Sequence, residues 1–121
     1  VPARLRLADP AAVASALESR TPADDRLLVK HFLAALAERA PGNSVEVRVP
    51  PVAAVQVVPG VRHTRGTPPA VVETDIDTWI AVASGELAWH DAVASGRVLA
   101  SGERTDLTPY LPLTTRPTIE D

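Results

Sequence analysis

The chain has 121 residues, a net charge of −3, no cysteine, and 45% hydrophobic but only 3% aromatic side chains. That length supports one modest core, and the missing cysteines remove disulfides, thiolate metal sites and a Cys nucleophile. The negative balance, with no aromatic residues interleaved among the arginines, argues against nucleic-acid binding. No run approaches the roughly 20 apolar residues of a membrane span, and the N-terminus lacks a signal-peptide pattern, so the expected location is the cytoplasm.

Asp9-Pro10 reads as a helix start, because Asp caps and Pro suits the first helical position. A short helix over 10–19 follows. Thr21-Pro22-Ala23-Asp24 repeats the device as a capping box and opens a second helix that runs to about Arg39, before Pro41-Gly42. Leu28, Val29, Phe32, Leu33 and Leu36 share one stripe of it. Lys30 on this helix is the sole lysine, against eleven arginines.

Beyond Gly42 the period changes to two. Val45, Val47 and Val49 alternate with Ser44, Glu46 and Arg48, which is the pattern of a half-buried strand. Pro50-Pro51 interrupts it, Val52 to Val58 forms a second strand, and Ala70 to Glu73 a third. Sequential strands at this spacing predict an antiparallel meander. Thr74 is the expected cap of a helix with Asp75 and Asp77 in its first turn, Ile76, Trp79, Ile80 and Ala83 on its apolar face, and Gly85 at its end. A short helix from Trp89 to Ser95, a strand over 97–101 and a helical piece near 107–111 complete the series. The order predicts an α+β domain with helices packed on one face of a largely antiparallel sheet. Residues 1–20 read as an arm and short helix, 21–113 as the domain and 114–121 as a frayed tail.

Few patterns carry chemistry. There is no Gly-x-Ser-x-Gly elbow and no glycine-rich phosphate loop. His31, His63 and His90 have no partner at metal-ligand spacing, so neither a metal nor a cofactor is expected. Glu73, at the end of an apolar strand, wants a partner that Arg62 or Arg65 would supply as a rim salt bridge worth under about 1 kcal/mol. The stretch "RHTRGTPP" (62–69) admits two readings. It is a hairpin connection stiffened by prolines, or its two guanidiniums grip a phosphate or carboxylate head group. Core packing is the plainer reading of Trp79. Core packing is also the plainer reading of Trp89, with a wedge at the helix start or a cavity edge, behind an Ala88 that offers no cap, as its alternative.

From Glu73 to Leu113 the chain resembles the sterol carrier protein family. The resemblance rests on Asp75-x-Asp77-x-Trp79, then Gly85-Glu86-Leu87, Ala92, and Gly96-Arg97-Val98 with Gly102. The strand "SVEVRVPP" and the loop "RHTRGTPP" are similar to those of small stand-alone actinobacterial sterol-carrier-like proteins. The same module resembles the C-terminal domain of mycothiol-dependent maleylpyruvate isomerases, whose metal histidines lie in a separate helical domain not found here. The resemblance covers roughly 24–113. It implies an apolar tunnel between sheet and helices, with no catalytic group, that holds a fatty acyl or sterol-like ligand.

Phe32, Val55, Val57, Trp79, Ile80 and Val82 are the expected lining, with Arg62 and Arg65 as contacts for an anionic head group. The expected partner is a lipid or another hydrophobic small molecule. The alternative is an interaction module that keeps the fold, lacks a usable tunnel and meets a protein partner. One Phe and no Met in the whole chain favour a tight Val/Ala core in that case.

Overall fold

The computed structural model describes residues 5–60 and 70–114. In chain order it contains α1 (Pro10–Ser19), α2 (Pro22–Arg39), β1 (Val45–Val49), β2 (Ala53–Val57), β3 (Ala70–Thr74), α3 (Ile76–Ser84), α4 (Trp89–Ala94), β4 (Val98–Ser101) and a 3-10 turn at Thr108–Tyr110. Asp9 accepts from the Ala11 N–H at the start of α1. Thr21 and Asp24 form the reciprocal capping box of α2, each side chain accepting from the other's backbone N–H.

The cap of α3 differs from expectation. It is Asp75, whose carboxylate accepts from the backbone N–H and the hydroxyl of Thr78 at 2.8 and 2.9 Å. Thr74 is the last residue of β3, is buried, and donates its hydroxyl to the Arg97 carbonyl instead. Burial pushes the Asp75 carboxyl up, but the Thr78 hydrogen bonds and the Arg97 charge outweigh it and hold it below the ordinary value.

The sheet order is β2-β1-β3-β4. β1–β2 and β3–β4 are antiparallel, as a largely antiparallel sheet requires, but β3 lies parallel to β1. The meander expectation therefore fails at one step: β3 passes β2 and docks on the far side of β1. Residues 58–69 span that step: β2 ends and β3 begins at the same end of the sheet with β1 between them, a separation too wide for a tight hairpin.

Register puts Val45, Val47, Val49, Val57, Ala70, Val72 and Val98 on one buried face. Glu46, Arg48 and Gln56 point the other way, together with Leu99, which is 64% exposed. α2 lies against β2 and α3, α1 against α2, and α4 against β4 and α3. Leu28, Val29, Phe32, Leu33 and Leu36 are fully buried, as the helical stripe predicts, and each such side chain contributes on the order of 1.5–3 kcal/mol.

The C-terminal stretch is tied down. Arg39, at the end of α2, donates to the carbonyls of Tyr110 and Pro112 at 3.0 and 2.7 Å. The Leu113 N–H donates to the Ala83 carbonyl at 2.8 Å, and Leu107 is fully buried. The helical piece expected over 107–111 is reduced to the 3-10 turn.

At the other end, the Ala8 N–H donates to Nδ1 of His31 at 2.9 Å, so a neutral imidazole holds the residues preceding α1 against α2. Burial pushes the His31 pKa down, against an opposing pull from Glu38. The folded chain thus binds fewer protons than the unfolded chain below the ordinary imidazole value of about 6.5. Stability from this contact is full above that pH and is lost as pH falls below it, through the lower value of the folded state. Denaturant titrations at about pH 7.5 and about pH 5.5 should show this loss in the wild type and a smaller one in His31→Gln. Equal losses in both would remove His31 as the origin.

Candidate ligand-binding site

The six expected lining residues converge on one layer. Phe32 comes from α2, Val55 and Val57 from β2, and Trp79, Ile80 and Val82 from α3. All but Val55 belong to one continuous buried cluster, and half-buried Val55 packs against it. The layer exists because two periodicities meet: the helical stripe of α2 faces the alternate residues of β2. Trp79 Nε1–H donates to the Val29 carbonyl at 3.4 Å and ties α3 to α2 inside this layer.

The packing is closed. Phe32, Val57, Trp79, Ile80 and Val82 each expose at most 1% of their surface to water. Arg62 and Arg65 lie outside the described residues, as do His63, the rest of "RHTRGTPP" and residues 115–121. The stretch is flanked by Gly60 and Ala70, at the Val45 end of the sheet, where Val45 pairs with both Val57 and Ala70.

Open clefts indent the surface of the described residues. One, of about 290 Å³, lies at the Val49 end of the sheet between the first half of α2, the β1–β2 turn and the start of α3. Its walls are Pro22, Pro51, Val52 and Ile76, with Asp25, Arg26 and Lys30 at the helix side. Arg26 and Lys30 are absent from the residues expected above. Their one linear signal is a pair of cations at i and i+4 with no acid at helical spacing from either. The second cleft, about 240 Å³, is lined by Trp89, His90, Val93, Ala100, Asp106 and Thr108, so Trp89 is both buried and at a cavity edge.

Arg20 organises the charges beside the first cleft. Its guanidinium binds Asp25 of α2 and, at 2.8 Å, Asp77 of α3. The Asp25 hydrogen bond raises its pKa further, against burial, so the cation is permanent. Asp77 lies in the first turn of α3, as expected, and also takes this bridge. Near the second cleft, hydrogen bonds from Thr108 hold the Asp106 carboxyl low.

Among the described residues no group of three His, Cys, Asp or Glu side chains could hold a metal ion, and no helix is long and apolar enough to cross a membrane.

This layered architecture has a counterpart in sequence. The bacterial SCP ortholog family matches residues 20–113, and the chain belongs to that sterol carrier protein-like family. No curated protein matches the chain. The match begins at Arg20, just after α1, although Val13 and Ala16 of α1 are part of the common core.

Proposed function

We propose that residues 21–113 form a non-enzymatic lipid carrier domain that holds a fatty acyl or sterol-like tail between α2, α3 and the sheet, with residues 1–20 as an accessory arm. Membership of the sterol carrier protein-like family carries this reading. The convergence of Phe32, Val55, Val57, Trp79, Ile80 and Val82 in one apolar layer agrees with it. Because that layer is closed, a tail enters by displacing side chains. Each CH₂ it buries contributes about 0.8 kcal/mol towards the cost of opening. In this reading Arg62 and Arg65 meet the head group, and the protein works in the cytoplasm.

Native mass spectrometry of freshly purified protein, followed by solvent extraction, tests it. A stoichiometric lipid is expected, with weaker retention of anionic lipids when Arg62 and Arg65 are both replaced by alanine. A bare protein that also leaves added acyl chains and sterols unbound would overturn the carrier reading. The closed packing at Phe32, Trp79 and Ile80 favours a second reading in that event, an interaction module that keeps the fold and meets a protein partner.

A further inference from the structure

We propose that the cleft between α2, the β1–β2 turn and α3 binds a small amphipathic anion, a carboxylate or phosphate head on a short alkyl stem. It opens on the surface outside the fully buried apolar layer, with Val52 and Ile76 packed between the two. β1 ends at Val49, the chain turns at Pro50-Pro51, and β3 delivers the chain to Ile76 at that same end. Residues 60 and 70, which flank the expected head-group arginines, lie at the opposite end.

Charge supports the choice of ligand. Arg26 and Lys30 are one turn apart on α2, and the positions three and four residues from them are Pro22, Ala23, Leu27, Val29, Leu33 and Ala34. Like charges at this spacing destabilise a helix unless something offsets them. The one acid lining the cleft, Asp25, is held by Arg20, which also takes Asp77, and Asp24 is engaged in the capping box. Neither Arg26 nor Lys30 forms an ion pair among the described residues.

Facing these cations, half-buried Val52 and Ile76 with Pro22 and Pro51 leave apolar surface open. An anionic head beside the cations, with its stem along that wall, satisfies both sides. A guanidinium binds such a head with two parallel hydrogen bonds, and an ammonium holds it as a point charge. The volume of about 290 Å³ lies at the small end of ligand pockets, roughly 300–1,000 Å³. It suits a short stem better than a full-length lipid.

The sole lysine gives a direct readout. Acetylation of Lys30 Nζ, followed by peptide mass spectrometry at matched ionic strength, should slow saturably in hexanoate and in hexyl phosphate. Acetate, lacking the stem, and hexanol, lacking the head, should protect far less. Arg26→Gln, a change at an exposed side chain, should raise the half-protecting concentration about three- to tenfold. Protection that never saturates, that hexanol or acetate matches, or that Arg26→Gln leaves unchanged would overturn the proposal. None of these outcomes bears on a lipid held in the apolar layer, so the two sites fail independently.

Discussion

Phe32→Ala is expected to lower the unfolding free energy by about 3–5 kcal/mol. Phe32 is the only phenylalanine in the chain and has no exposed surface where it sits between α2 and the sheet. Its removal leaves a void inside the buried cluster, which is rich in valines. β-branched neighbours have one preferred χ1 rotamer and little freedom to fall into such a gap, so the cavity cost adds to the lost transfer energy. Against a typical stability of about 5–15 kcal/mol this is a large fraction, and the urea midpoint should fall accordingly at unchanged slope. The variant also probes function. If an acyl tail occupies this layer, added decanoate should recover part of the lost stability by filling the void. A loss below about 1 kcal/mol would mean that the layer collapses freely around position 32.

Gly102→Ala should cost about 2–5 kcal/mol, from two sources. The backbone at Gly102 has φ +93°, where an L side chain is strained. A Cβ there would also lie 2.8 Å from the Ala70 Cα and 2.9 Å from its Cβ, and the backbone of β3 cannot yield as a flexible side chain would. Gly96 separates the two causes. It also has a positive φ, +77°, but an added Cβ meets nothing within 4 Å. Gly96→Ala should therefore show the conformational cost alone, about 1 kcal/mol. Similar losses at both positions, measured by denaturant unfolding, would discard the close approach to β3.

What could be read in the linear chain follows from which interactions are local. The capping box at Thr21 and Asp24 and the stripe from Leu28 to Leu36 are set within one helix, and α2 has the predicted bounds. The Val45, Val47, Val49 alternation likewise gave β1. Strand partners are not local. The stretch after β2 leads equally well to a neighbour of β2 or of β1, and only the packed sheet decides. Thr74 and Asp75 are both good caps, and the choice turned on a carbonyl at Arg97, far along the chain. The bridge from Arg20 to Asp77 has no footprint in neighbouring positions, and the cleft built from α2, Pro51-Val52 and Ile76 leaves only the Arg26 and Lys30 pair. The apolar candidates were legible because hydrophobic period marks a buried face. It does not distinguish a filled layer from a tunnel.

The arginines at the two ends of α2 bear on time as well as on structure. Arg20 pins its beginning to α3, and Arg39 pins its end to the carbonyls of Tyr110 and Pro112. A beam held at both ends does not swing open like a door; it bows at its middle, or its hydrogen-bond ladder breaks there. If a tail lies beneath α2, as proposed, its dwell time would depend on how often the middle of α2 opens locally as well as on how tightly it is held, and would lengthen as temperature falls.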